Sequence, residues 1–155
     1  MNNPTPKFST LYYRDFNIKS ASSMIVGSIL FQFVTYLGFE MFYPPIVMIL
    51  LGLTVIGIVW LIYRYNFIMT IFREGTTVRA RVLDTETMVS RNENGSRRRS
   101  YYAKIAYNVG NKSFETRLRL PGDPILYGIE ENGSVDLVLQ EEKPKNFFIK
   151  SVYLK

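Results

Sequence analysis

Cysteine and histidine are both missing from this chain. Disulfides are therefore excluded, as are thiolate or imidazole metal ligands and any Cys–His or Ser–His–Asp catalytic group. No Gly-x-Gly-x-x-Gly or Gly-Lys-Ser motif is present to cradle a phosphate. Charge is missing over a long stretch: between Lys19 and Arg64 the only charged residue is Glu40. The start of the chain also lacks the pattern of a secretion signal. Polar, mixed-charge residues precede the apolar run, and no pair of small residues follows it for cleavage.

What is there divides in two. Ser20–Phe39 carries no charge, and Ile46–Tyr63 is eighteen uncharged residues in a row. About twenty helical residues at 1.5 Å each cross a bilayer core. Between the runs, Tyr43-Pro44-Pro45 breaks one helix and suits the first turn of the next. The expectation is a two-helix transmembrane hairpin over 20–72, with helices at about 21–43 and 45–65. The apolar stretch Asn66–Phe72 extends the second helix towards 72. Ser23, Gly27, Gly52 and Gly57 are the candidate helix–helix packing positions, since small residues let backbones approach in lipid. Gln32, the most polar residue at the centre of the first run, is expected to hydrogen-bond to the neighbouring helix. Trp60, Tyr63, Arg64 and Tyr65 are the candidate membrane-interface anchors. Lys7, Arg14 and Lys19 precede the hairpin and Arg64, Arg73, Arg79 and Arg81 follow it, while the connector has no Lys or Arg. The positive-inside rule then puts both termini in the cytoplasm. Residues 1–19 form an N-terminal cytoplasmic segment and 73–155 a cytoplasmic β domain.

In that second part the periodicity changes to two. Val78, Ala80 and Val82 alternate with Arg79 and Arg81, the pattern of a half-buried strand, and this strand is expected to reach Val89. Arg91–Arg99 reads as a hairpin loop around an Asn94-Gly95 turn. Strands are expected over Tyr101–Val109, Ser113–Leu120, Val135–Gln140 and Phe147–Leu154. A connection at Ile125–Asn132 holds one helical turn, and Glu141–Asn146 is a polar loop. Five short strands with Gly and Pro punctuation indicate a small antiparallel β-sheet or barrel of SH3-like or OB-like type, joined to the helical hairpin as a membrane α + β chain.

Gly75 with Val78 and Val82, the strand Tyr102, Ile105, Tyr107, Val109 with its Gly110 and Lys112 turn, and Gly133, Val135, Leu137, Val138 before Pro144 together make a pattern. Over roughly 73–148 it resembles the bacterial membrane family called domain of unknown function 3592. Leu139-Gln140-Glu141 stands where that pattern commonly has a tyrosine-containing segment. The resemblance implies transmembrane helices beside a small β domain, and no enzyme activity.

The residues themselves point the same way. Glu130-Glu131 and Glu141-Glu142 are paired acids in polar loops, where neighbours point apart and a hard cation lacks further ligands. Neither catalysis nor a metal or other cofactor is expected. Arg97, Arg98, Arg99, Tyr101, Arg117 and Arg119 are the candidate lipid- or partner-binding residues. A solvated charged loop is the plain alternative for them. Anionic lipid headgroups are a ligand at about 1 kcal/mol per basic residue, and single-stranded nucleic acid is the least supported one. The expected function is a non-enzymatic, membrane-anchored interaction module that binds a protein partner at the inner face of the bacterial membrane. Subunits of envelope complexes and immunity-type proteins have this build. The alternatives are an anionic-lipid sensor using the arginine hairpin, and a transport element made of oligomerised hairpins. The latter has only Gln32, Thr35 and Thr54 for polar groups in its spans.

Overall fold

The computed structural model describes residues 4–39, 44–91 and 97–154. The expected Asn94-Gly95 turn, Glu40 and Tyr43 lie outside them. In order come α1 (Phe8–Arg14), α2 (Phe16–Phe39), α3 (Pro44–Glu74), β1 (Thr76–Arg91), β2 (Arg97–Val109) and β3 (Lys112–Leu120). A single 3-10 turn (Pro124–Tyr127), β4 (Ser134–Gln140), β5 (Lys143–Ile149) and α4 (Lys150–Tyr153) follow. The chain divides into two compact units, Leu11–Met69 and Met1–Thr10 with Thr70–Lys155.

In the helical unit, α2 and α3 are long and apolar enough to cross a membrane, and only 11% and 6% of their most apolar windows are buried. At 1.5 Å per residue they measure about 36 and 46 Å. Val26, Leu30, Phe33, Leu37, Met48, Ile49, Val55 and Val59 are all exposed, so the apolar surface runs around both helices rather than along one stripe. Of the four small residues expected at the helix contact, Gly57 alone is closely packed: a Cβ there would come within 2.8 Å of Ile25 Cγ1 and 3.4 Å of the Ala21 carbonyl. Gly27 and Gly52 face open space and Ser23 is exposed. Of these four positions, only the level of Gly57 brings the helices close. Gln32 does not bond across it: its Nε2 is buried and has no hydrogen-bond partner among the described residues.

Asp15 holds the other end of this unit. It sits between α1 and α2, its Oδ1 accepting from the Ile18 amide at 3.1 Å as a helix N-cap. Arg64 of α3 donates through Nε to Oδ1 at 3.2 Å and through Nη2 to Oδ2 at 2.7 Å. Arg64 also lies 5.5 Å from the Phe67 ring centroid. Asp15 is 3% exposed and Arg64 22%. Arg64, expected at the membrane interface, has its guanidinium turned onto Asp15, in a bidentate geometry that lysine cannot copy. Tyr63 is exposed.

The second unit is one antiparallel sheet in the order β3-β2-β1-β4-β5. Its outermost strands are not paired with each other, so it is an open sheet; the barrel is not formed. A bulge at Leu83, where the register shifts between Val82 and Asp84, decides which face β1 buries. Val78, Ala80 and Val82 face the core before it, and Thr85 and Thr87 share that face after it. A strand without the extra residue would reverse the second half. The core consists of Ala80, Val82, Ala103, Ile105, Tyr107, Val135, Leu137, Leu139 and Ile149, with Tyr127, Ile129 and Val152 laid over it. Tyr107 is stacked on Phe114 at 5.5 Å and packed against Phe147 at 5.4 Å.

The last strand differs from expectation. It starts at Lys143, inside the expected polar loop, and stops at Ile149, where a helical turn begins. The turn buries Val152 and sets Tyr153 5.1 Å from Phe148, contacts that an extended tail would not bring together. Pro144 has no amide to donate and so suits an edge strand. Its carbonyl accepts from the Tyr107 hydroxyl at 2.8 Å.

Burial pushes the Tyr107 phenol above its ordinary value of 10.0. The neutral form is the one the fold stabilises, so this contribution is complete below about pH 10 and is lost as pH rises through the higher folded-state value. Tyr107→Phe should cost about 1 kcal/mol at neutral pH through the lost hydrogen bond. It should also flatten the alkaline fall in stability. Denaturant titrations from pH 7 to about pH 11 would read both effects, and an unchanged alkaline slope would refute the assignment.

Candidate functional site

β4 accompanies β1 only over Thr76–Arg81, and β3 accompanies β2 only over Tyr101–Val109. Beyond these limits β1 and β2 pair with each other alone, from Met88–Ser100 out to Arg91–Arg97. The result is a two-stranded ribbon extending from the sheet. It carries Arg91, Arg97, Arg98 and Arg99, all exposed, along with exposed Met88 and Val89. Arg97, Arg98 and Arg99 therefore belong to a strand and not to a hairpin loop, which corrects the expectation. The register sets Arg91 opposite Arg97, Ser90 opposite Arg98 and Val89 opposite Arg99. Like charges directly opposite one another destabilise a strand pair, and a two-stranded ribbon is only marginally stable by itself. Among the described residues these four arginines have no acidic partner.

The other expected site residues are used differently. Arg117 is committed inside the sheet: it pairs with Glu86 and its guanidinium lies 4.3 Å from the Tyr102 ring centroid. Arg119 donates to Ser100 Oγ at 3.3 Å. Tyr101 is half-buried against the core, so its ring is not offered for stacking. Lys104 pairs with Glu115. The hydrogen bond and charge of Glu115, helped by Asp84 and Glu86, hold its ammonium above the usual lysine value. This part of the outer face is balanced in charge, and the unbalanced part is the ribbon. The cluster without acidic neighbours among the described residues is thus Arg97, Arg98 and Arg99 together with Arg91. The signal for Arg91 was readable, because Arg91 and Arg97 stand symmetrically about Asn94 in a hairpin. Asp15 was missed too, although an acid just before an apolar helical run is an N-cap pattern.

Among the described residues, no group of three His, Cys, Asp or Glu could hold a metal ion. No family model matches this chain, and no curated protein and no solved structure matches it.

Proposed function

We propose that this chain is a membrane-anchored, non-enzymatic binding module whose arginine ribbon docks on an acidic surface of a protein partner. The carrying observation is four exposed arginines on two paired strands with no acid among the described residues to neutralise them. A partner's carboxylates would relieve the Arg91–Arg97 opposition and gain bidentate hydrogen bonds. Arg91 stands about 50 Å of extended strand from the beginning of β1, just after α3.

In this reading α2 and α3 cross the bacterial inner membrane as an antiparallel hairpin with both termini cytoplasmic. The support is apolar surface on every side of both helices, far more than a soluble monomer exposes, together with the Lys and Arg distribution. Membership of the domain of unknown function 3592 family fits the same architecture. The strand neighbours favour the OB-like alternative: β3 and β5 run parallel and unpaired, as in such a barrel opened at one seam.

A photo-crosslinking residue at Ser90 of the full-length protein in its native membrane should give one discrete protein adduct. Changing Arg91, Arg97, Arg98 and Arg99 together to glutamine should weaken that association about 100-fold, with strong salt dependence in the parent. An adduct indifferent to both changes would refute the proposal. Adducts with lipid alone would transfer the ribbon to the membrane surface.

A further inference from the structure

One turn of each long helix separates the bare apolar spans from the polar end of the helical unit. Arg64 bonds to Asp15, and a Cβ at Gly57 would meet Ala21 and Ile25. Residues 60–64 of α3 and 15–19 of α2 therefore run side by side in opposite directions. Each segment is about 6 Å long. The headgroup layer on one side of a bilayer has the same thickness, about 5–7 Å.

The side chains here differ from those on either side. Towards the middle of the spans the exposed residues are aliphatic, among them Val26, Ile29, Leu30 and Ile56. Beyond the Asp15–Arg64 pair, Leu11 and Ile68 are fully buried and Asn66 is exposed, the division expected of a protein surface in water. At the turn itself large rings stand out. Tyr13, Phe16 and Tyr63 are 74%, 78% and 70% exposed, and Trp60 is 39% exposed. Lys19 is exposed too. Aromatic rings beside a lysine at the end of an apolar span are the composition of a membrane–water interface. Lys19 lies one turn inside Asp15, and its four-carbon stem can carry the ammonium outward along the helix.

We infer that a lipid headgroup layer surrounds this turn: the bilayer core ends at Lys19 and Trp60, and water begins beyond the Asp15–Arg64 pair. Phe16, Trp60 and Tyr63 set their rings among the headgroups, Tyr13 lies at the outer edge, and Lys19 faces lipid phosphate. Tyr13 and Phe16, which the charge pattern assigns to an N-terminal cytoplasmic segment, thereby become lipid contacts. The inference rests on α2 and α3 crossing the membrane and adds where along them the boundary falls.

The test uses the single tryptophan of the chain, Trp60. Full-length protein is reconstituted in phosphatidylcholine bilayers whose acyl chains are brominated either near the headgroup or near the terminal methyl. The shallow label should quench Trp60 at least about twofold more than the deep one. In a Trp60→Phe background, Phe16→Trp exchanges ring for ring at an exposed position and should show the same preference. Tyr13→Trp supplies a second reporter if Phe16→Trp disturbs the start of α2. Leu30→Trp, in the middle of the span, should prefer the deep label. Absence of quenching in Leu30→Trp would refute the crossing itself. Deep quenching of Leu30→Trp, with Phe16→Trp and Tyr13→Trp either unquenched or quenched more by the deep label, would overturn the boundary and leave the crossing standing.

Discussion

Replacing Arg64 with methionine is expected to destabilise the helical unit by about 2–3 kcal/mol, because it removes the guanidinium that pairs with the buried Asp15 carboxylate. Removing one member of a fully buried pair costs about 3–5 kcal/mol; Arg64 is 22% exposed, so water already screens part of the interaction. Asp15→Asn keeps a side-chain oxygen for the Ile18 amide and should preserve most of the cap. The double variant Asp15→Asn/Arg64→Met should consequently be more stable than Arg64→Met alone, since the buried negative charge is removed together with its guanidinium. Unfolding of the detergent-solubilised chain in increasing SDS would give the four stabilities of the cycle. Strict additivity would show that the pair contributes no coupling.

The second large effect is expected at Gly75. Its amide bonds to the Ile71 carbonyl at 2.9 Å and closes the end of α3. A Cβ there would press on that same carbonyl, on the Leu139 carbonyl at 2.8 Å and on Val138 Cγ1 at 2.9 Å. Two of the three neighbours are backbone, so no rotamer change relieves the clash. The last turn of α3 meets the sheet at this point. Phe72 is fully buried and lies 6.0 Å from the Phe148 ring and 6.1 Å from that of Tyr153. Gly75→Ala should cost about 3 kcal/mol, the upper end of ordinary overpacking. It should also separate the helix end from β4. Limited proteolysis around Arg73 would detect the opening, and denaturant titration its size. A variant as stable and as protease-resistant as the parent would contradict this account of the joint.

Gly75 also illustrates how a residue can be legible while its reason is not. From the sequence it marks the start of a strand. Its actual constraint is the approach of β4, a strand about sixty residues further on, which no local pattern encodes. Arg64 is a similar case. Its position after an apolar run makes it an interface residue, but its partner Asp15 lies 49 residues earlier. The arginine run was visible as charge. That it forms the flank of a paired ribbon depended on how far β3 and β4 accompany their neighbours.

Local information sufficed for the two long uncharged stretches, the breaks at proline and glycine, and the alternation of Val78, Ala80 and Val82, because period and hydropathy depend only on neighbouring residues. From these follow two apolar helices and an antiparallel sheet of five strands. The bulge that reverses β1, the open seam between β3 and β5 and the Asp15–Arg64 pair required the folded chain. Each depends on which distant segments meet and in what register, and that is settled by the packing of the whole molecule, not by any stretch of it.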